Sequence, residues 1–298
     1  MKKKSEHCGY IAIVGRPNVG KSTLLNHILG MKLSITSRKP QTTRHQILGV
    51  KTVAQDQAIY VDTPGIHQQR SSAINKYMNR AATSVLNDVD VVLFVAQAKQ
   101  WTEEDAVVLK LFEHLSVPVI LLVNKIDRLK NKNDLLPYID RLKTQYPFHS
   151  VIPVSALNNI NLDQLEQAVF SLLPKSAHFY ADDQITDRSM RFLAAEIIRE
   201  KLVRELGQEL PYTSTVVIDR YQESTDIVHI HATIFVETEG QKSIIIGRKG
   251  ERLKKIGSSA RKDITTMIHT KVYLNLWVKV REGWSNDERA LRGLGYSE

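Results

Sequence analysis

The sequence is short of cysteine: among its 298 residues only Cys8 carries a thiol. An internal disulfide and a cysteine-cluster metal site are therefore excluded, and Cys8 reads as a small residue near a flexible terminus. Long apolar runs are missing too. None approaches the ~20 residues that a membrane-spanning helix requires. The basic start, Lys2, Lys3 and Lys4, is not followed by an apolar stretch of signal-peptide length before the first core segment. These absences point to a cytosolic protein. Acidic residues are the scarcer charge: 41 Lys and Arg against 32 Asp and Glu leave a net charge of +9. A polyanionic partner follows, either nucleic acid or an anionic membrane surface. Most of the excess lies in residues 1–175, with 22 basic and 14 acidic residues, whereas 176–298 hold 19 and 18. Within that near-neutral second part, 242–271 concentrate nine basic residues against two acidic ones.

What the chain has is a regular alternation over its first 175 residues. Apolar, strand-like runs at 10–14, 46–53, 58–61, 91–96, 117–123 and 151–154 alternate with amphipathic helical patterns at 21–29, 72–86, 103–115, 134–145 and 162–173. Several runs are continuously apolar, as in Val91, Val92, Leu93, Phe94 and Val95, which suits strands covered on both faces. The expected fold is α/β, a mostly parallel sheet with right-handed crossovers. Ligands of such sheets sit beyond the carboxyl ends of the strands, and the informative motifs do follow the apolar runs.

The first is Gly15, Arg16, Pro17, Asn18, Val19, Gly20, Lys21, Ser22 and Thr23, with the spacing G-x-x-x-x-G-K-[ST] between a strand and a helix. Such a loop turns backbone N–H groups towards phosphate oxygens. Lys21 is placed to reach the β- and γ-phosphates, and the Ser22 hydroxyl to ligate Mg²⁺. Asp62, Thr63, Pro64 and Gly65 follow the third run: Asp62 suits a Mg²⁺ ligand, direct or through water, and Gly65 can offer its N–H to a γ-phosphate. Asn124, Lys125 and Asp127 follow the fifth run. An aspartate can accept two parallel hydrogen bonds from guanine that adenine cannot supply, so Asp127 selects the base. Asn124 can hold the loop, and the Lys125 stem can lie over the ring. Ser155 and Ala156, after the last run, are small enough to let backbone N–H groups approach a base oxygen. Residues 34–45 are polar and aperiodic and read as a mobile loop. A threonine hydroxyl there, Thr42 or Thr43, could complete Mg²⁺ coordination when a γ-phosphate is present, which is switch chemistry.

Taken in this order and spacing, the four motifs resemble the Ras-like, translation-factor-related GTPases, and their details are similar to the Era family. The resemblance implies a P-loop GTPase domain over 1–175 and GTP and GDP as ligands. It places the phosphate loop at 15–23, the first switch at Thr42 and Thr43 with Thr43 on Mg²⁺, and the second switch from Asp62 to Ile66. It also implies catalytic parts for Lys21, Thr43, Gly65 and Asn18. Many related enzymes carry a glutamine after D-x-x-G to orient the attacking water; this chain has Ile66, so slow hydrolysis is expected, helped by K⁺ held by Asn18. His67, Gln68 and Gln69 are expected as surface switch residues.

Beyond Pro174 the chain turns polar, and a linker is expected over 176–188, followed by a second domain over 189–298. Thr186 and Asp187 can cap a helix whose stripe is Met190, Leu193, Ala194, Ile197 and Ile198, with Gly207 as its stop. Alternating strands follow at 228–236 and 271–280. His229 and His231 share one face and lack acidic or cysteine partners for a metal. Tyr273, Asn275, Trp277 and Lys279 read as a face covered by helices or solvent rather than as a base-stacking surface. Between these strands, Gly247, Arg248, Lys249 and Gly250 join two helices, the second carrying Arg252, Lys254 and Lys255 outward from a Leu253, Ile256, Ala260, Ile264 and Met267 stripe. A G-x-x-G loop lets a nucleic-acid backbone lie close, with Arg248 and Lys249 on its phosphates. The order of elements resembles an α+β type II KH domain, the module that the Era family carries at its C-terminus. The resemblance implies RNA binding at Gly247, Arg248, Lys249, Gly250, Arg252, Lys254 and Lys255. It implies small-subunit (16S) ribosomal RNA and the small ribosomal subunit as partners, with the tail beyond 280 helping to bind the RNA 3′ end. Two other readings remain open at this point: a constitutive RNA-binding scaffold, and a GTPase held on the cytoplasmic face of the inner membrane.

Overall fold

The computed structural model describes residues 6–37, 39, 42–66, 72–206 and 213–296. The chain divides into two compact units. The first comprises Met1–Ser34, Thr43–Arg70 and Asn75–Asp187; the second comprises Ile35–Thr42, Ser71–Ile74 and Arg188–Glu298.

The first unit is a six-stranded sheet with strand order β2-β3-β1-β4-β5-β6, built from β1 (His7–Val14), β2 (Ile47–Val53), β3 (Asp56–Asp62), β4 (Val91–Gln97), β5 (Val119–Asn124) and β6 (Ser150–Pro153). Every neighbouring pair is parallel except β2 with β3. That exception follows from the connection: β2 and β3 are joined by Ala54 and Gln55 alone, a hairpin length that cannot make a parallel crossover. The helices are α1 (Lys21–Leu29), α2 (Ala73–Ser84), α3 (Glu103–Lys110), α4 (Leu135–Lys143) and α5 (Leu162–Phe170). β4 is buried over Val91–Ala96 and β5 throughout, as their unbroken apolar sequence requires.

Three local readings change. Cys8 is not at a loose end: β1 begins at His7, and Cys8 is fully buried in register with Gln57 of β3. Residues 176–187 pack on the first unit. Gln57 accepts from the N–H groups of Phe179 and Tyr180 at 3.0 Å, and the Phe179 ring stacks on Tyr10. Thr186 caps no helix; its hydroxyl donates to the Leu48 carbonyl of β2 at 2.7 Å.

In the second unit, α6 (Met190–Glu205) is capped by Ser189, whose hydroxyl accepts from the Phe192 N–H. It is followed by β7 (Thr215–Glu223), β8 (Ile227–Val236), α7 (Glu239–Ile246), α8 (Glu251–Ile268) and β9 (Lys271–Val280). The sheet order is β7-β8-β9, the first pair antiparallel and the second parallel. Helices α6 and α8 cover one sheet face around Ile197, Ile230, Ile234, Ile256 and Ile264. Met190 stays exposed, and the expected stop at Gly207 lies outside the described residues. The tail is ordered around Trp284, fully buried and stacked on Tyr296, and ends in the short α9 (Glu288–Gly293). No described helix is long and apolar enough to cross a membrane.

Candidate functional site

The carboxyl ends of β1, β3, β5 and β6 bring the sequence motifs of the first unit together. Gly15 to Gly20 turn the chain from β1 into α1. Gly20 caps that helix in the left-handed region (φ 108°), and a Cβ there would lie 2.4 Å from the Asn124 side-chain nitrogen. Only glycine lets the loop pass so close to the β5 motif. α1 starts with no side-chain cap, so its first N–H groups are free to meet an anion.

Lys21 is buried. Its ammonium donates to the carbonyls of Gly15 at 2.9 Å and Arg16 at 3.0 Å. Burial pushes this group down to about 8, against the attraction of Asp62. Asp62, at the end of β3, accepts from Ser22 at 2.7 Å and from Ser34 at 2.9 Å through the same oxygen. Ser22 Oγ and Thr43 Oγ1 lie 2.7 Å apart. Burial pushes the Asp62 carboxyl up; Lys21 and the hydroxyls of Ser22, Ser34 and Thr43 oppose the shift. Its other oxygen, Oδ1, is buried without a hydrogen-bond partner. A buried carboxylate oxygen left bare beside two hydroxyls is a hard-oxygen donor set, and it fits Mg²⁺.

Thr43, not Thr42, sits at Ser22. Thr42 is turned away: its hydroxyl bonds Ser37 at 2.8 Å, and its carbonyl accepts from Arg199 of α6. Gly65 lies against Pro17, where a Cβ would meet three Pro17 atoms at 2.7–2.8 Å. Ile66 is buried in the apolar cluster with Ala82, Leu86 and Phe94. Lacking a polar atom, it orients no water. His67, Gln68 and Gln69 lie outside the described residues.

Asn124 is the brace of the site. Its amide donates to the Val19 carbonyl at 2.8 Å, and its oxygen accepts from the N–H groups of Lys125 at 2.7 Å and Ala156 at 3.0 Å. One side chain thus ties the phosphate loop to both base-side loops. Lys125 stands at φ 65° and donates to the Asn18 carbonyl and to Gln97 at 3.0 Å. Burial, with Arg128 and Arg16 nearby, lowers its ammonium to about 8. Asp127 is exposed, with one oxygen held by the Ser155 hydroxyl at 2.5 Å. The carboxylate stands open to a base rather than buried.

Several supporting residues escaped sequence reasoning. Arg16 is locked by Asp105 at 3.0 Å, the same carboxylate that closes the capping box of α3 with Thr102. Asn26 accepts from the N–H groups of Leu33 and Ser34 and so sets Ser34 on Asp62. The sequence signal at Asp105, T-x-x-D before a helix, announces a cap but not its second task.

In the second unit the loop between α7 and α8 has Gly247 at φ 72°, where a Cβ would press on Arg252 at 2.8 Å, and Lys249 at φ 50°. Gly250 precedes α8, again with no side-chain cap. Arg248, Lys249, Arg252, Lys254 and Lys255 are all exposed. Two are partly engaged: Arg252 donates to the Ile244 carbonyl at 2.6 Å, and Lys255 pairs with Glu205 at 2.9 Å. His229 and His231 form no metal cluster among the described residues.

Fold and loops together define a P-loop GTPase followed by a KH domain. Residues 10–125 match the family described as 50S ribosome-binding GTPase, and residues 209–285 match the KH domain. GTPase Era of Ectopseudomonas mendocina is 61% identical over 289 residues, covering 97% of each chain. GTPase Era of Azotobacter vinelandii is 58% identical over 297 residues, covering 100% of this chain and 99% of that one. Two solved structures superpose with a TM-score of 0.95 at 39% identity, covering 98% of this chain and all of theirs. One is an Aquifex aeolicus Era variant bound to GDP and tetrafluoroaluminate; the other is Era in complex with MgGDPNP and nucleotides 1506–1542 of 16S ribosomal RNA. The chain belongs to the Era family of GTPases.

Proposed function

We propose that this GTPase is a switch that binds the 3′-terminal region of small-subunit ribosomal RNA through its KH domain and assists assembly of the small ribosomal subunit. The observation that carries this reading is the coexistence of two anion sites, each at an uncapped helix start: the buried one at Lys21 and the exposed one at Arg248 and Lys249. The solved relative that holds a GTP analogue and a 16S fragment together supports it.

For hydrolysis, the N–H groups of Asn18 to Ser22 hold the phosphates, and Lys21 exchanges its two carbonyl partners for β- and γ-phosphate oxygens. Ser22, Thr43 and Asp62 would hold Mg²⁺, which when bound would neutralise charge on the β- and γ-phosphates. The Gly65 N–H donates to the γ-phosphate. Asp127 reads the guanine edge, Lys125 lies over the ring, and Ser155 and Ala156 close the base side. Water attacks the γ-phosphorus in line, and the bond to the β,γ-bridging oxygen breaks. With Ile66 in the core, no side chain at that position orients the water, and a slow intrinsic rate is expected. Asn18, exposed at φ 62°, would hold the K⁺ that assists hydrolysis. Turnover in KCl against NaCl tests this; equal rates remove K⁺ from the mechanism.

Coupling would run through Thr36 and Thr42. Within the second unit these two residues are bonded to α6: Glu200 accepts from the Thr36 N–H at 3.0 Å, Arg204 donates to the Thr36 carbonyl at 3.0 Å, and Arg199 donates to that of Thr42. Thr43, next in the chain, bonds Ser22. A γ-phosphate that repositions Thr43 therefore pulls on α6. Binding of the 16S fragment 1506–1542 in GTP-analogue and GDP forms is the test. Tighter binding in one state is expected, and identical affinity separates the two activities.

A further inference from the structure

The second sheet has a face that the helices α6 and α8 do not cover. At one end of it the tail closes over: Thr215 bonds the Tyr296 hydroxyl at 2.9 Å. The other end is open, and aromatic rings stand there in a row across β8 and β9. His229 and Tyr273 have centroids 5.4 Å apart, His231 and Tyr273 6.2 Å, and His231 and Trp277 5.5 Å with planes only 17° apart. Tyr273 is 48% exposed and Trp277 44%. Large rings left this open on a sheet are uncommon and mark a binding surface. His231 touches both larger rings and His229 flanks Tyr273, and rings packed in this way lose less freedom when a base stacks on them.

Charge chooses the occupant. In register with these rings, Arg220 of β7 pairs with His231, Lys271 of β9 with Ile227, and Lys279 of β9 with Phe235, so three cations share the face. The carboxylate at the bulge, Asp219, is already hydrogen-bonded to the Thr233 hydroxyl at 2.7 Å. Rings flanked by cations suit unpaired bases on a phosphate backbone: the bases stack and the backbone is neutralised. A protein partner of similar size would look for apolar surface, and this face offers rings edged by charge instead.

We propose that Tyr273 and Trp277 form a base-stacking platform for single-stranded RNA, a second contact surface of the KH domain distinct from its Gly247–Gly250 loop. The platform rests on the RNA-binding reading above and extends it to another face. The four-residue spacing along β9, about 13 Å between Tyr273 and Trp277, assigns the two rings to different bases.

The test uses the full-length chain and the 16S fragment 1506–1542. Trp277→Ala and Tyr273→Ala are each expected to weaken binding at least about fivefold, with Trp277→Phe close to the parent. The slope of affinity against salt stays as in the parent, because stacking releases no counterions. A second readout needs no truncation: Trp277 fluorescence, obtained by subtracting the Trp277→Phe signal, is quenched on RNA addition, while the buried Trp284 is not. Unchanged affinity in both alanine variants, with binding still weakened in Arg248→Glu/Lys249→Glu, overturns the platform and leaves the RNA reading intact. No RNA binding by the parent chain overturns both. Loss of small-subunit binding in Trp277→Ala with fragment affinity unchanged assigns the face to a protein and overturns the proposal.

Discussion

The phosphate loop and the Gly247–Gly250 loop are built alike and handle charge in opposite ways. Each leads through a left-handed glycine, Gly20 at φ 108° and Gly250 at φ 79°, into a helix with no side-chain cap. Each therefore offers bare N–H groups to an anion. At α1 the accompanying lysine is buried, bonded to backbone carbonyls, and lowered by burial to about 8. From its ordinary 10.5 that is roughly 3 kcal/mol of disfavour for the charged form, and a phosphate that enters relieves it. At α8 the cations lie in solvent. They act at a distance, are screened by salt, and impose no shape on what they meet. The first loop is arranged to hold one small polyanion tightly; the second is arranged to hold a long one loosely and additively.

The comparison breaks most readily at Lys21. Lys21→Ala removes a buried cation that faces Asp62, and GTP affinity should fall at least about a hundredfold, read by titration with a fluorescent nucleotide. A loss under tenfold would mean that the backbone alone holds the phosphates. Asp127→Asn comes next. It changes an acceptor to a mixed donor–acceptor on the base edge, and the preference for GTP over ATP should fall by about ten- to a hundredfold; competition binding measures it. Arg248→Glu/Lys249→Glu should be milder per residue at physiological salt. If two phosphate contacts are lost, the slope of log affinity against log salt for single-stranded RNA drops by about 1.4, and nucleotide affinity stays as it was. A steep slope that survives moves the RNA contact elsewhere.

How much of this was legible in the sequence differs between the two loops and their surroundings. Lys21, Asp62, Asn124 and Asp127 could be placed because each follows an apolar run, and parallel strands bring their carboxyl ends to one edge. The tasks that depend on residues far apart could not. Asp105 closing on Arg16, Ser34 sharing an Asp62 oxygen, and Asn26 aiming Ser34 are long-range or loop contacts with no periodicity to betray them. Residues 34–45 read as a mobile loop because they are polar and aperiodic. Thr36 and Thr42 in that stretch are nonetheless bonded to α6, where Glu200 accepts from the Thr36 N–H and Arg199, itself paired with Glu196, donates to the Thr42 carbonyl. A helix with charges on several sides reads as solvated until its partners are known. On the β9 face alternation gave the exposure but not the neighbours: Tyr273 and Trp277 are exposed, and the cross-strand register sets His229 opposite Tyr273 and Thr233 opposite Trp277.

The smallest effect is the most specific to the buried loop. With its ammonium lowered by burial to about 8, Lys21 is in large part neutral at pH 8.5 in the empty site. A bound polyphosphate favours the ammonium, so GTP binding takes up a fraction of a proton there. The sign is fixed: the group is lowered in the free folded protein, so affinity falls as pH rises above 8, by up to about tenfold per unit until Lys21 titrates in the complex as well. Calorimetry at pH 8.5 in two buffers of different ionisation enthalpy reads the uptake directly, and Lys21→Arg, which does not titrate in this range, should abolish it. RNA binding supplies the contrast, since Arg248 is charged at every pH used and the exposed loop has no burial to relieve. If the two ligands showed the same proton uptake, the difference between a desolvated and a solvated anion site would not be what separates these loops.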